Sequence, residues 1–471
     1  MFTHFRTLVL SFILLLPTMM IQSADNAALF DIPMSDDVHM PKTVEELTSL
    51  VQDAKKNKTT ISIVGAGKSQ GGQTTAGKNK NYRISLSKLN HLITLDVLGK
   101  TVTVQAGMTW GQLQKYIAPH GLAVSCMQSY NDFSIGGSLG VNVHGQDFRH
   151  GPLISTVQEF KLLQSDGTII IVNHQKNAEL FGAAIGGYGL FGIITEVTLK
   201  LVDDMLLDKF TEEIDADELA DYFIEHIKDN KEIEFYSARF SIGSWNLLNK
   251  AFVIYYKKSE TSDQDLFDYA PDGFKAKVSN KSSAKTAAAF TKSSFLRNCR
   301  LWLERLMLQK KITMSRNNLM SYSLKSLPQD TNKIRYILQE YFVPYEQLNS
   351  FIKKMKKIVK MSGVKLLNVT ARHIEKNTEA MLSFSGRESC ALVLYIPVEK
   401  TEAEYAKTVL WTQHLIDAAL ACKGTYYLPY QLLATKEQLH KAYPIFNDFV
   451  ALKKMYDPQE LFINALYEKY A

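Results

Sequence analysis

Three glycine-rich stretches hold the residues of this chain whose types and spacing could do chemistry. They are Gly65-Ala66-Gly67-Lys68-Ser69-Gln70-Gly71-Gly72-Gln73-Thr74, Ser134-Ile135-Gly136-Gly137-Ser138-Leu139-Gly140-Val141-Asn142-Val143-His144-Gly145, and Gly186-Gly187-Tyr188-Gly189-Leu190-Phe191-Gly192. The central stretch is too rich in glycine for a packed helix and too apolar for a solvated linker. Glycine reaches φ > 0 and lets main-chain N–H groups approach a ligand closely, so each stretch is a candidate cradle for a phosphate or a flat cofactor. Three such loops, each beside an apolar run of β character, point to one large anionic cofactor. The spacing is neither G-x-G-x-x-G nor that of a P-loop, which counts against the dinucleotide and P-loop folds.

The elements that must position these loops follow from pattern. Thr43 caps a helix with Leu47, Leu50, Val51 and Ala54 on one face, and Glu46 stands three residues past the cap. Thr59–Val64 is a buried strand that runs into the first loop, and strands follow at 82–86, 93–96 and 101–107. A short helix from Thr109 turns Trp110, Leu113 and Ile117 to one side. Phe160–Val172 reads as a hairpin with Asp166-Gly167 in the turn, and Ile193–Val202 closes a unit that ends near Leu207. Its strands and helices mix without regular βαβ alternation, so the fold class is α+β. From 208 onward the texture changes: 235–240 and 251–256 suggest an antiparallel sheet, and 257–292 a polar, mobile excursion. Helix is predicted for 297–310, then a strand at 333–343, a helix at 348–361, and strands at 365–373 and 390–396. The tail is helical around Trp411 and Ile416, passes through Gly424–Tyr430, and is helical again to Tyr456. It ends on Asp457-Pro458-Gln459-Glu460-Leu461-Phe462-Ile463-Asn464. The lysine run at 353–360 reads as a solvated helix face.

Length suggests roughly two or three domains, and 46% hydrophobic with 22% charged residues is globular rather than disordered. A net charge of +6 is too mild for a nucleic-acid footprint. A weakly basic start, a short apolar core at Leu8–Leu16 and small residues at Ser23-Ala24 make residues 1–24 a signal peptide or N-terminal anchor, so the chain is expected to be exported or membrane-anchored. Cys126, Cys299, Cys390 and Cys422 are widely spaced with no C-x-x-C pair, which indicates neither a metal site nor a disulfide framework.

Residues 41–207 resemble the FAD-binding domain of the vanillyl-alcohol oxidase and p-cresol methylhydroxylase superfamily. The resemblance rests on Pro41-Lys42-Thr43-Val44-Glu45-Glu46-Leu47, the G-x-G-x-S-x-G-G loop at 65–72, the Ile135-Gly136-Gly137 segment, and Gly186–Ile194 before a strand. Glu340-Tyr341-Phe342-Val343-Pro344 and the final D-P-x-x-L-F-x-N resemble the sugar-oxidising branch, which includes decaprenylphosphoryl-ribose, aldonolactone and alditol oxidases. The resemblance implies a two-subdomain FAD-binding domain over 38–207, a substrate cap of antiparallel sheet and helices over 208–425, and a C-terminal return over 426–471. It implies FAD contacts from Gly65, Ala66, Gly67, Lys68, Ser69, Gln70, Gly71, Gly72, Gln73 and Thr74 in the first loop. It implies others from Ser129, Ser134, Ile135, Gly136, Gly137, Val141, Asn142, Val143, Gly189, Ile194 and Tyr427. Many relatives attach the flavin through a histidine where this chain has Lys68, and Cys126 lies ahead of the place for a cysteinyl tether, so the flavin is expected to be non-covalent. His144 resembles the flavin-side histidine of the branch, and Tyr430 takes the place of a substrate-pocket lysine. Both are expected to handle the substrate hydroxyl, while His150 reads as structural.

On period-2 alternation Gln339 and Tyr341 share one strand face, and Arg372 points opposite to Ala371 and His373. Gln339, Tyr341 and Arg372 are the expected substrate contacts. The implied reaction is oxidation of CH–OH in a sugar, polyol, lactone or sugar-lipid by hydride transfer to FAD, with oxygen or a quinone as acceptor. A flavoenzyme for a 2-hydroxy acid or phenol and an exported binding protein with a decayed FAD site are the alternatives.

Overall fold

The computed structural model describes residues 38–75, 81–261, 263–269, 305, 306, 308–324, 327, 328 and 330–471. The leader at 1–24, Cys299, residues 270–292 of the polar excursion and residues 297–304 of the expected helix lie outside the described residues.

The first half of the chain builds two sheets. β1 (Val38–His39), β2 (Thr60–Val64) and β3 (Asn81–Ser85) form a parallel sheet in the order β1-β3-β2, with α1 (Val44–Lys56) crossing between β1 and β2. Thr43 Oγ1 accepts the Glu46 N–H as the sequence implies, and Leu47, Val51 and Ala54 are buried. β4 (Leu92–Asp96), β5 (Thr101–Gln105), β6 (Leu122–Val124), β7 (Val157–Leu163), β8 (Ile169–Asn173) and β9 (Ile193–Asp203) make a six-stranded antiparallel sheet around β9. The β7–β8 hairpin has its turn at Gly167, φ +88°. Between strands lie α2 (Trp110–Ile117), α3 (Ile135–Gly140) and α4 (Ala178–Ala184).

α3 overturns one expectation, because the central glycine stretch is helical. Ser134 starts the helix by accepting the Gly137 N–H. The missing side chains are what let the helix lie flat: a Cβ on Gly136 would stand 2.9 Å from Ala106 Cβ, and one on Gly65 would stand 2.2 Å from Ser134 Oγ. α2 holds α3 from behind, with buried Trp110 donating Nε1–H to Ser138 Oγ at 2.8 Å.

The second half folds into one eight-stranded sheet. β10 (Leu206–Asp215), β11 (Ile233–Phe240), β12 (Lys250–Lys258), β13 (Thr313–Ser315), β14 (Ile334–Val343), β15 (Asn368–Ile374), β16 (Ser389–Glu399) and β17 (Thr425–Tyr426) run in the order β13-β10-β12-β11-β15-β16-β14-β17. α5 (Tyr345–Ser362) and α6 (Glu402–Ala421) are the long helices of this half. The segment expected to be a mobile excursion is structured where described. Lys257 and Lys258 finish β12, and Tyr269 Oη donates to Gln114 Oε1 at 2.8 Å. In the C-terminal return β17 pairs Thr425 and Tyr426 with β14, and the Tyr427 N–H donates to the Glu340 carbonyl just beyond them.

α7 (Lys436–Ala442), α8 (Phe446–Tyr456) and α9 (Ala465–Tyr470) bring the tail back to the first sheet. Asp457 accepts Leu461 N–H and Phe462 N–H and pairs with buried Lys453 at 2.8 Å. Phe462 then lies parallel to Ile61 of β2, and Asn464 Nδ2 donates to the Tyr188 carbonyl in the third glycine loop.

The two halves are joined by a buried ion pair. Arg316, fully buried, donates to Asp147 Oδ2 and at 2.6 Å to the Ser125 carbonyl, with its guanidinium 4.8 Å from the Phe235 ring. Asp147 also accepts Arg149 N–H at 2.8 Å and contacts His150 Nδ1 at 2.7 Å. Burial pushes the Asp147 carboxyl up, but Arg316 and His150 outweigh it and hold it below the usual carboxylate range. A folded-state pKa below the unfolded one gives stability that is present above the unfolded value and lost as pH falls through the folded one. Asp147→Asn, which strands Arg316 in the core, is expected to cost about 3–5 kcal/mol at neutral pH. In urea unfolding, that gap from the unmodified protein should shrink only as the pH drops below about 4.

Candidate active site

Strand register decides which side chains meet the glycine loops. Glu340 pairs with Val393, which pairs with Thr370, while Phe342 pairs with Ala391, which pairs with Arg372. Directly paired residues share a sheet face. Glu340, Phe342 and Arg372 therefore project together on one face. Gln339 and Tyr341 project on the other, where Gln339 Nε2 donates to Thr412 of α6 at 2.6 Å and Tyr341 Oη donates to Gln339 Oε1 at 2.5 Å. The structure thus corrects the expectation for β14: its site face carries Glu340, and Gln339 and Tyr341 brace α6.

Glu340 meets His144. Nε2 of His144 lies 2.7 Å from Glu340 Oε1, with both side chains buried. The approach is poorly aligned, and neither Glu340 Oε1 nor His144 Nδ1 has a hydrogen-bond partner in the described structure. The imidazole is walled by Phe342, Phe384 and Tyr427, with ring centroids 5.6–5.9 Å away. Gly145 makes this approach possible, because a Cβ there would stand 2.2 Å from the Met127 carbonyl.

The C-terminal return supplies both tyrosines. Tyr427 Oη donates to the Val141 carbonyl at 2.7 Å, and Tyr430 Oη donates to Glu340 Oε2 at 3.2 Å. Burial first, and Glu340 second, hold the Tyr430 phenol well above its ordinary value, so it keeps the proton it donates to Glu340. Gly71 accommodates this segment, since a Cβ would stand 2.3 Å from the Tyr430 carbonyl. Arg372 reaches Ser129, donating Nη2–H to its Oγ at 3.0 Å, while its buried Nε has no partner.

The first loop fits a pyrophosphate. Gly67 and Gly72 have φ of +65° and +74°, and no hydrogen bond engages the amides of Gly67, Lys68 and Gln70 among the described residues. Successive free N–H groups on a left-handed turn form an anion-binding nest. Ala66 N–H is tied back to Ser134 Oγ at 3.1 Å, which couples this loop to α3.

Several expected FAD positions have side chains turned inward to hold the cradle. Gln70 Oε1 accepts Leu338 N–H from β14, Gln73 accepts Gly71 N–H and donates to the Leu428 carbonyl, and Asn142 Oδ1 accepts Ile154 N–H. The Thr74 carbonyl accepts from Ser62 and Arg83. Ile135, Val143 and Ile194 are buried, and Gly189, φ +74°, packs on Ile63 of β2. His150 serves Asp147, as expected of a structural residue. Glu340 is the residue that sequence reasoning missed. The sole signal for it was its place between two polar neighbours on one strand, and alternation alone does not say which face looks inward.

Cys126, Cys390 and Cys422 are free and buried, and burial first, then Asp147, pushes the Cys126 thiol far up. No cluster of metal-ligating side chains occurs among the described residues.

Residues 36–173 match the FAD binding domain family, and residues 197–470 match the D-arabinono-1,4-lactone oxidase family. The chain is 24% identical to L-gulonolactone oxidase of Bos taurus across 91% of its own length and 93% of that enzyme. It is 30% identical to D-arabinono-1,4-lactone oxidase of Debaryomyces hansenii over 39% of this chain and 34% of that enzyme. With mitochondrial L-galactono-1,4-lactone dehydrogenase of Arabidopsis thaliana it shares 32% identity over 35% of this chain and 26% of that enzyme. The first two glycine stretches lie within the first match and the sheet carrying Glu340 within the second, so the chain belongs to the D-arabinono-1,4-lactone oxidase family and is an FAD-dependent oxidoreductase acting on CH–OH groups.

Proposed function

We propose that the chain oxidises a ring CH–OH of a sugar-derived 1,4-lactone, the type of compound named for its relatives. The observation that carries this reading is the buried His144–Glu340 pair, with Nδ1 and Oε1 still lacking hydrogen bonds. Buried polar atoms left unpaired are costly, and a polyhydroxy ring supplies partners for them. Bound FAD supplies the two-electron acceptor for the hydride. As the tautomer protonated on Nε2, His144 presents the Nδ1 lone pair, which takes the hydroxyl proton as the carbonyl forms. Glu340 then balances the imidazolium, the role a carboxylate plays behind a catalytic histidine elsewhere. Tyr430 orients Glu340 by donation, and Arg372 offers Nε–H to a substrate oxygen. Phe342, Phe384 and Tyr427 exclude water.

His144→Ala is expected to lower kcat by about 10²–10⁴ with flavin content unchanged. Glu340→Gln should also lower kcat, by a smaller factor. A His144→Ala enzyme within a few-fold of the unmodified kcat would remove the histidine from the chemistry.

We read the flavin as non-covalent, since Lys68 stands at the attachment position and Cys126 is packed in the core. Acid precipitation should release the flavin absorbance into the supernatant, whereas colour retained in the pellet would show a covalent bond. Oxygen or a quinone then takes the electrons. The leader pattern at 1–24 supports export or N-terminal anchoring. N-terminal sequencing should find a start near residue 25, or an intact leader in the membrane fraction; an intact chain in the cytosol would refute both.

A further inference from the structure

The cap carries a second surface that the chemistry does not use. α5 buries Leu348, Phe351, Ile352, Met355 and Val359. At 3.6 residues per turn, Lys353, Lys354, Lys357, Lys360 and Met361 then fall within one outward arc of roughly 120°. All five are exposed, Met361 by 76%. None of the four lysines takes an ion pair or hydrogen bond among the described residues. The acidic residue of the first turn, Glu346, is remote from them along the helix.

The stripe is flanked by an apolar feature. Lys356 Nζ donates to Asn249 Oδ1, which seats the turn between β11 and β12 at the edge of the lysine arc. Four residues earlier in that turn, Trp245 is 87% exposed. An indole left bare costs solvation without return in water, while a bilayer interface accommodates both its apolar ring and its N–H. Lysines suit the same surface, because their stems lie along apolar material while the ammonium groups reach anionic headgroups. Solvation alone accounts for the lysines but gives no use to the bare Trp245 of the turn that Lys356 holds or to Met361 within the arc.

We propose that this face docks the enzyme on an anionic lipid bilayer, with the α5 lysines at the headgroups and Trp245 at the interface. Tyr341 packs on Phe351 of α5 with ring centroids 5.7 Å apart, so α5 lies on the sheet face opposite Glu340 and Arg372 and docking leaves the active site free.

The test uses the full-length, flavin-loaded chain and phosphatidylcholine vesicles with and without phosphatidylserine. Sedimentation should require phosphatidylserine and weaken with added salt. The variant K353E/K354E/K357E/K360E should partition roughly 100-fold or more weakly, with kcat unchanged. An N-terminal anchor would hold both proteins on vesicles, so a second readout isolates this face. Brominated lipid should quench tryptophan emission of the unmodified protein, and Trp245→Phe should abolish that quenching. Equal quenching in the Trp245→Phe protein, or none in either, would overturn the proposal. Charge-dependent capture by a nucleic acid or acidic protein without vesicle binding would do the same.

Discussion

Asp147 holds a charge where water does not reach it, and the geometry of the site depends on how that charge is met. Arg316 neutralises it from the second half of the chain, while Arg149 N–H and His150 hold it from its own loop. Such a pair adds little net stability, because the desolvation of both ions consumes most of the attraction. Its value is positional. Asp147 lies three residues beyond His144, and Gln146 and Asp147 bond the edge of β11 through the Tyr236 N–H and a bridge to Phe235. Fixing Asp147 therefore fixes the register in which His144 meets Glu340.

Glycine does two jobs in this protein, and they separate by residue. Gly67 supplies left-handed backbone in the turn that leaves the amides of Gly67, Lys68 and Gln70 free, and Gly72 supplies it where the loop bonds Thr75 and Ala465. Gly65, Gly71, Gly136 and Gly145 instead make room for protein: Ser134 Oγ, the Tyr430 carbonyl, Ala106 and the Met127 carbonyl occupy the volume a side chain would need. The cradle is thus a place where three separate segments of chain come into contact. Its outer residues, Gln70, Gln73 and Asn142, spend their amides on tying those segments together.

The C-terminal return closes the same assembly. Asp457 shapes the turn that lays Phe462 beside β2, and Asn464 reaches the third glycine loop. Tyr427 and Tyr430 then sit over α3 and Glu340. The glycine cradle and the Glu340 face are each completed by residues distant in sequence, so neither forms from one local segment.

By itself the sequence determined the local elements and the cofactor class. Thr43 and Thr109 have the chemistry of helix caps, Asp166-Gly167 that of a hairpin turn, and the glycine runs beside apolar strands have few uses other than a backbone cradle. These features act over a few residues, where propensity and hydrogen-bond geometry leave little choice. The order of motifs was enough to place the chain among FAD-linked, sugar-oxidising proteins; the resemblance pointed to His144, Tyr427 and Tyr430, and strand alternation to Arg372 together with Gln339 and Tyr341. Tertiary structure decided the rest. Alternation shows that Gln339 and Tyr341 share a face and that Glu340 has the other, but only the packing of α6 against that strand reveals that Glu340 looks toward His144. The helix at Ile135–Gly140 was likewise illegible, because its glycines are poor helix formers and its stability comes from Ser134, Trp110 and the loop at Gly65. Both choices rest on contacts between residues far apart in the chain, whose energies no local pattern contains.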